Sequence, residues 1–220
     1  MIDLYHFKGF ATVKQDHTFE GMAVYLYCME NDIPVFKANY KDACPEDYVP
    51  CGSIPWITKT LNKTIIPDYY PEWMSEHLHR KVWKSDEWIR GEKFFVKPAD
   101  KHKRFDGFIT RGTWHKKKKP PFWYSEIVSF SNEWRYYVTK GKIICGKWYD
   151  GDEVNTPDAP ELDITIPESF SGTLDFGTFS DGTLALVEAH EPFGCGWYGE
   201  KEDETFLQWV IDGWIYMLEK

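Results

Sequence analysis

The sequence lacks the features that mark secreted, membrane-spanning and disulfide-stabilised proteins. Its N-terminus has no basic segment followed by an apolar core, and no stretch approaches about eighteen uninterrupted apolar residues. The five cysteines are odd in number, widely spaced and include no Cys-x-x-Cys pair, which argues against a disulfide framework or a structural zinc site. We therefore expect a soluble, unsecreted protein in a reducing cytoplasm.

Internal repeats and an excess of basic charge are also absent. The 220 residues include 26 Lys and Arg against 35 Asp and Glu, a formal net charge of −9. This balance argues against general wrapping of nucleic acid, although a local patch can dominate a charge sum. Aromatic residues are abundant instead, at 18% of the chain with 11 Trp. The composition predicts a globular protein of one compact unit or two small lobes.

The first part of the chain predicts a βαβ unit. Ile2–Phe7 and Ile33–Ala38 have the composition of strands, and His17–Glu30 between them places apolar residues on neighbouring helical turns. We expect the two strands to be parallel and joined by a right-handed crossover. A turn-rich stretch follows, then a short strand or helix start at Trp56–Leu61 and a helix at Glu72–His79.

The rest of the chain predicts antiparallel strands and a closing helix. The strands are Phe94–Lys97, Phe105–Arg111, Trp123–Phe130, Glu133–Lys140, Lys142–Tyr149, Gly172–Thr178 and Thr183–Ala189. Lys140-Gly141-Lys142 indicates a hairpin turn, and apolar spacing in Thr205–Leu218 predicts the helix. We predict an α+β protein with a small α/β lobe over residues 1–75. A two-lobed domain of antiparallel sheets and helices is predicted over residues 76–220.

Two carboxylates on neighbouring strands are the most informative feature of the sequence. Asp175 lies in one predicted strand, and Glu188 lies thirteen residues later in the next. Adjacent antiparallel strands would bring the two side chains together at the mouth of a sheet. Carboxylate oxygens are ligands that Mg²⁺ prefers, so the pair is suited to holding this ion against nucleotide phosphates.

Lys97 ends an apolar strand and is followed by Pro98, so its amine is expected to project from a rigid strand edge. There it can meet an α- or β-phosphate oxygen as a point charge. Considered alone, such a residue is more often a surface lysine that caps a strand. The segment Lys101–Gly107, which includes Lys103, has the composition of a flap over a triphosphate, and equally that of a basic surface loop.

Arg135 stands between aromatic residues on a strand whose other positions look buried, so its guanidinium needs a partner. A γ-phosphate or acyl phosphate suits its planar fork, and an internal carboxylate is the alternative. Lys147 is a second candidate for contact with a phosphate. The backbone at Glu126–Val128 enters a link between lobes where it can read an adenine edge. Glu126 and Glu133 either bind adenine or ribose hydroxyls or are solvated strand residues.

In this order, from about Tyr70 to Gly199, these pieces resemble the ATP-grasp superfamily of carboxylate–amine ligases. The likeness is greatest to its small members found in phage and bacterial genomes. The resemblance implies the following roles: Lys97 contacts the ATP phosphates with Lys84 or Lys81, Lys103 and Gly107 belong to the flap, Glu126, Ile127 and Val128 form the adenine hinge, Arg135 lies near the transferred phosphate, and Asp175 and Glu188 bind Mg²⁺.

The reaction implied by the resemblance is activation of a carboxylate by ATP as an acyl phosphate, then attack by an amine or thiol with release of ADP and phosphate. His190 departs from the family pattern, which places Asn two residues after the metal glutamate. An imidazole replaces an amide oxygen poorly at Mg²⁺, so His190 donates to a phosphate, acts through water, favours Mn²⁺ or marks an altered enzyme. The loop Gly194–Gly199 is expected to line the acceptor pocket or to be a plain connector.

Two other classes are compatible with parts of the sequence. A nucleotidyltransferase of the polynucleotide ligase type forms a lysyl–AMP at Lys-x-Asp-Gly. The segment Lys103–Gly107 has one residue too many and places Arg104, which cannot attack a phosphate, at the nucleophile position. A nucleic-acid or protein interaction module would use the basic residues of Lys101–Arg104 and Lys116–Lys119 beside Trp123. The same cluster also suits an acidic or polynucleotide-linked ligase substrate.

Overall fold

Strands make up most of the ordered elements and form three sheets. The computed structural model describes residues 3–14, 18–102, 104–110, 118–200 and 204–220. Its strands are β1 Gly9–Val13, β2 Val35–Ala38, β3 Tyr48–Cys51, β4 Val82–Ser85, β5 Phe95–Pro98, β6 Phe108–Ile109, β7 Phe122–Ser125, β8 Asn132–Thr139, β9 Lys142–Gly151, β10 Gly172–Thr178 and β11 Leu184–His190. Its helices are α1 Phe19–Glu30, α2 Ile54–Leu61 and α3 Glu204–Glu219, with a 3-10 helix over Glu72–His77.

The first sheet is parallel, with the strand order β2-β1-β3. Strand, helix and parallel strand follow one another as predicted, and the Thr18 hydroxyl caps α1 by accepting from the Gly21 N–H at 3.2 Å. The predicted strand Ile2–Phe7 is wrong over its described residues, because a turn occupies residues 5–6 and β1 begins at Gly9. All five residues of β1 are buried between two parallel neighbours, so the alternation of a half-buried strand is missing.

Two elements before the second domain differ from the prediction. The turn-rich stretch contains β3, which tolerates Pro50 because β3 is an edge strand of the parallel sheet. Trp56–Leu61 belongs to α2, whose first turn holds Pro55, a residue that needs no N–H partner at this position. The helix predicted at Glu72–His79 is a 3-10 helix that ends at His77.

Two antiparallel sheets of four strands follow. The lysine sheet, which carries Lys97, has the order β4-β7-β5-β6, and the carboxylate sheet, which carries Asp175 and Glu188, has the order β11-β10-β8-β9. The predicted hairpin joins β8 to β9. Lys140 (φ 47°) and Gly141 (φ 74°) adopt the left-handed backbone that a tight two-residue turn requires. The predicted α+β architecture is confirmed.

The strand bounds depart most from the prediction in the lysine sheet. The predicted strand Trp123–Phe130 is too long, because β7 ends at Ser125 and the chain then crosses toward the carboxylate sheet. The prediction Phe105–Arg111 reduces to Phe108–Ile109, and Arg111 lies outside the described residues. The sequence does not predict β4. Its four residues are intermediate or exposed, so it gives no alternating pattern.

The two faces of the carboxylate sheet differ in chemistry. One face is apolar, and its buried side chains are Trp134, Tyr136, Val138, Leu174, Phe176, Leu186 and Ala189, packed with Met74 of the 3-10 helix. The opposite face carries Glu133, Arg135 and Asp175, which alternate with those residues along β8 and β10. The apolar face anchors the sheet, and the polar face is left available for a site.

The main core joins the parallel sheet to the carboxylate sheet through α3. Tyr137 of β8 is fully buried and packs edge-on against Trp209 of α3, with ring centroids 5.1 Å apart. The Trp209 indole N–H donates to the carbonyls of Val138 at 3.1 Å and Gly172 at 3.2 Å. Burial of such a large side chain stabilises the fold by about 1.5–3 kcal/mol. No helix in the described ranges has the length and apolarity needed to cross a membrane.

Candidate active site

A cavity of about 310 Å³ lies between the lysine sheet and the carboxylate sheet. Lys97 lines it from the lysine sheet, and Glu133 and Glu188 line it from the carboxylate sheet. The segment that follows β7 closes one side with Glu126, Ile127 and Val128. The volume lies at the lower end of the range of about 300–1,000 Å³ that is usual for small-molecule sites. Predicted site residues from three separate parts of the chain thus line one cavity.

Arg135 and Asp175 form a buried ion pair within the carboxylate sheet. They lie opposite each other on β8 and β10, and the guanidinium donates through Nε and Nη2 to the two carboxylate oxygens at 2.8 and 2.5 Å. The Asp175 side chain is only 1% exposed. Of the two partners that the sequence leaves open for Arg135, the structure has the internal carboxylate.

A β-bulge brings Glu188 onto the same face as Asp175. Leu186 pairs with Phe176, yet Glu188 pairs with Asp175, so Val187 is an extra residue on β11. Without this insertion Glu188 would have the same orientation as Leu186 and would point into the apolar layer, because side chains alternate along a strand. The bulge therefore places the two carboxylates side by side.

Glu188 makes one contact across the cleft and one within its own strand. One carboxylate oxygen forms an ion pair with the Lys97 ammonium on the lysine sheet, and the other lies 2.7 Å from Nε2 of His190. The side chains of Lys97 and Glu188 are 15% and 14% exposed. The Lys97–Glu188 pair is the direct charged link between the walls of the cavity.

Burial lowers the pKa of the Lys97 amine from its ordinary 10.5 to about 7. The guanidinium groups of Arg80 and Arg135 act in the same direction, whereas the charge of Asp175 and the ion pair with Glu188 favour the ammonium form. The Lys97 ammonium also lies 4.8 Å from the centroid of the Tyr69 ring. A cation held in so dry a place is stabilised strongly by any anion that enters the cleft.

Glu133 lies farther along the polar face and accepts a hydrogen bond from the Tyr149 hydroxyl. Burial raises the pKa of Glu133 above its ordinary value, and the bond from Tyr149 opposes this shift. The Tyr149 ring also lies 5.2 Å from the Arg135 guanidinium. Glu133 is therefore held by β9 rather than solvated.

Arg80 links the hinge to the bulge, a role that sequence analysis missed. Its guanidinium donates to the Ser125 hydroxyl at 2.9 Å, to the Leu186 carbonyl at 2.5 Å and to the Val187 carbonyl at 2.9 Å. Ser125 ends β7, and Val187 is the extra residue that turns Glu188 toward the cleft. Arg80 precedes the first strand of the lysine sheet, and nothing in the sequence reveals a bulge to which it could bind.

The hinge segment is fixed to β4 through its backbone and one side chain. The N–H of Lys81 donates to the Glu126 carboxylate at 2.8 Å, and the N–H of Glu126 donates to the Lys81 carbonyl at 3.0 Å. This carboxylate is engaged outside the cavity, so the structure supports Glu126 as a hinge residue through its backbone. Ile127 is 43% exposed.

Two other predicted lysines lie on the sheets that form the cleft. Lys84 is exposed and pairs opposite Trp123, which also pairs with Lys97, so both lysines lie on one face of the lysine sheet. Lys147 pairs with Arg135 on the polar face of the carboxylate sheet. Their roles remain predictions.

The predicted flap is described only in part. Gly107 packs against the Phe95 ring so closely that a Cβ atom there would overlap the ring. Phe95 lines the cavity, so Gly107 allows the flap to lie directly behind this wall. Lys103, the predicted flap cation, lies outside the described residues.

The chemistry of the paired carboxylates fits a divalent cation. Asp175 and Glu188 supply oxygen donors of the kind that Mg²⁺ prefers, and the register places them directly opposite each other. Among the residues that the structure describes, no group of three or more His, Cys, Asp and Glu side chains is arranged to hold a metal. The pair therefore suits an ion that takes its other ligands from nucleotide and water.

The fold and this cleft define an ATP-grasp protein. Residues 77–208 match the model of an ATP-grasp domain family, the second family of its clade, and the chain belongs to this family. The superfamily resemblance read from the sequence is thereby confirmed. A search of curated proteins finds no match.

Similar solved structures share the fold at low identity. D-cycloserine synthetase DcsG is 13% identical, with a TM-score of 0.47 over 96% of this chain and 99% of that chain. D-alanyl-alanine synthetase A from Vibrio cholerae O1 biovar eltor is 9% identical, with a TM-score of 0.48 over 96% of this chain and 99% of that chain. The ATP-grasp ligase PsnB, complexed with minimal precursor, is 9% identical, with a TM-score of 0.43 over 84% and 90% of the two chains.

Proposed function

We propose that the protein is an ATP-dependent ligase that joins a carboxylate to an amine or a thiol. In this reaction a carboxylate oxygen attacks the γ-phosphorus of ATP, the bond to the β-phosphate oxygen breaks, and ADP leaves. The amine or thiol then attacks the acyl phosphate and releases phosphate, with loss of one proton from the nucleophile. Family membership supports an ATP-grasp ligase, and the identity of both substrates belongs to the proposal.

The single observation that carries the proposal is the Lys97–Glu188 ion pair across the cavity. A cation from one sheet and a carboxylate from the other meet at the point where nucleotide phosphates and their metal would enter. Both groups are largely buried, so each interacts strongly with a charged ligand. The polar face adds Asp175 and Arg135 beside them.

In the proposed complex, Lys97 and Arg135 bind phosphate oxygens, and the hinge backbone at Glu126–Val128 holds the adenine. Asp175 and Glu188 would hold Mg²⁺, or Mn²⁺, which supplies neutralisation of phosphate charge. The protein contributes positioning and charge stabilisation and forms no covalent bond of its own. The division into residues 1–75 and 76–220 and the cytoplasmic location also remain predictions.

The test is binding of a non-hydrolysable ATP analogue with Mg²⁺, measured by isothermal titration for the wild type, Lys97→Met and the control Lys93→Met. Lys93 is exposed and does not line the cavity. We expect Lys97→Met to weaken binding at least about tenfold, or about 1.4 kcal/mol, and the control to leave it unchanged. Equal affinity for all three proteins contradicts the proposed phosphate contact.

The reaction type needs a separate measurement. We expect ADP release to rise when mixtures of amino acids, short peptides and small amines or thiols are added with ATP. Intact mass after incubation with ATP alone should show no AMP adduct. A covalent AMP adduct would instead indicate the nucleotidyltransferase class, which uses a lysine nucleophile.

A further inference from the structure

Two cavities outside the nucleotide cleft form a groove between the parallel sheet and the lysine sheet. One has a volume of about 720 Å³ and the other about 470 Å³. Both are lined by Ile54 and Pro55 of α2 and by Lys101 and His102 after β5, so the two are contiguous. Each lies in the range of about 300–1,000 Å³ usual for a drug-sized ligand, so together they suit a chain of several residues.

The charge of this groove is opposite to that of the protein. Its charged lining consists of Lys59, Lys63, Lys101 and Arg104 with one carboxylate, Glu20. The whole chain has 35 acidic residues against 26 basic ones, so a random sample of its surface would show the reverse balance. Glu20 is buried and accepts the Gly196 N–H at 2.5 Å, which leaves the cations to dominate the field in the groove.

The inner end of the groove reaches the candidate active site from two sides. The His102 ring lies 5.7 Å from the ring of His190, which contacts Glu188. Tyr198 lines the larger cavity, and its ring lies 5.4 Å from the Arg135 guanidinium. A ligand in the groove can therefore extend one group toward the residues proposed to handle the phosphate.

We propose that this groove binds an acidic peptide, one of whose carboxylates is the group that the enzyme activates. Lys59 and Lys63 are exposed on and just after the last turn of α2, where they meet side-chain carboxylates away from the reacting one. A peptide with Asp or Glu residues supplies both the distributed negative charge and the reacting carboxylate, whereas a nucleic acid supplies only the charge. The reactive step rests on the proposed function, but the binding does not.

Phe19 and Tyr198 add apolar contacts along the larger cavity. Phe19 is 80% exposed and Tyr198 is 46% exposed, although both line the cavity wall. An exposed aromatic ring next to cations suits a ligand that combines side-chain carbon with charge. A single small amino acid would leave most of this wall uncovered.

The experiment measures fluorescence anisotropy of a labelled Glu-rich hexapeptide, its Gln-substituted match and a labelled oligothymidylate, without nucleotide and at two salt concentrations. The variants are the double Lys63→Glu with Lys101→Glu, and the control double Lys93→Glu with Lys142→Glu. Lys93 and Lys142 are exposed and line neither cavity. Circular dichroism confirms that each variant is folded.

We expect the Glu-rich peptide to bind at least about tenfold more tightly than its Gln match and to weaken with salt. The groove variant should lose at least tenfold, and the control less than twofold. Equal binding of the two peptides, equal loss in both variants or no binding overturns the proposal. Oligothymidylate binding at least as tight, with the same loss in the groove variant, also overturns it in favour of a nucleic-acid site.

ADP release measured with the same peptides separates this inference from the proposed function. Peptide binding without stimulated ADP release keeps the groove and removes the ligase assignment for such peptides. Stimulated ADP release by amino acids together with absent peptide binding keeps the ligase and removes the groove. Ten-fold stimulation by the Glu-rich peptide but not by its Gln match supports both.

Discussion

The two charged pairs of the cleft differ in where they are anchored. Arg135 and Asp175 belong to one sheet, and their side chains are 8% and 1% exposed. Lys97 and Glu188 belong to different sheets, and their side chains are more exposed, at 15% and 14%. A pair inside one rigid sheet stabilises this sheet, whereas a pair between two sheets has to separate when phosphates enter. The first is therefore expected to govern folding, and the second to govern nucleotide binding and turnover.

The largest expected effect is on stability, when the pair inside the sheet is broken. Arg135→Ala leaves the Asp175 carboxylate buried without its bidentate partner, which costs about 3–5 kcal/mol in the free energy of unfolding. Urea denaturation followed by fluorescence of the Trp residues measures this loss. Replacing both partners, as Arg135→Leu with Asp175→Leu, removes the unpaired charge and should recover most of the stability. A double variant as unstable as the single one would show that the pair is not what stabilises the sheet.

The pair between the sheets is expected to give the opposite result. Glu188→Gln should change the free energy of unfolding by no more than about 1 kcal/mol, because the group is partly solvated and keeps its size. ADP release should fall by about 10²–10³-fold, the usual effect of removing one charge-stabilising group. Glu219→Gln, an exposed carboxylate near the end of α3, is the matched control. Turnover within threefold of the wild type in Glu188→Gln would remove this residue from the reaction.

A smaller effect is expected from Arg80, which holds the bulge that keeps the two pairs side by side. Arg80→Lys keeps the charge but loses the fork that bonds Ser125 and two carbonyls of β11, and each lost bond is worth about 0.5–1.5 kcal/mol. We expect KM for ATP to rise about tenfold and kcat to change less. Arg90→Lys, exposed in the loop after β4, is the control. A loss of stability with unchanged KM would indicate a purely structural role.

The same contrast shows what the sequence can predict. The spacing of Asp175 and Glu188 and the strands β8 to β11 follow from alternation and turn residues, and the structure pairs these two residues directly. The bulge at Val187 and its partner Arg80 do not follow, because the contact joins residues more than a hundred positions apart and uses backbone carbonyls. Strand β1 escapes prediction because complete burial removes the alternating pattern. The partner of Arg135 stays open because a strand position fixes the direction of a side chain but not its contact.

The smallest expected effect is from His190, the second contact of Glu188. His190→Asn keeps a donor near the Glu188 oxygen that lies 2.7 Å from the imidazole, so affinity for the ATP analogue should change by no more than about threefold. His190→Phe keeps the ring that packs 5.3 Å from Tyr69 but removes the donor, and therefore separates packing from hydrogen bonding. Titration calorimetry measures affinity, and urea denaturation measures stability for both variants. If Asn loses tenfold in affinity and Phe does not, the ring itself positions Glu188. If both lose tenfold, the contact with His190 is as important as the one with Lys97, and the distinction between a structural and a nucleotide-binding pair has to include a third residue.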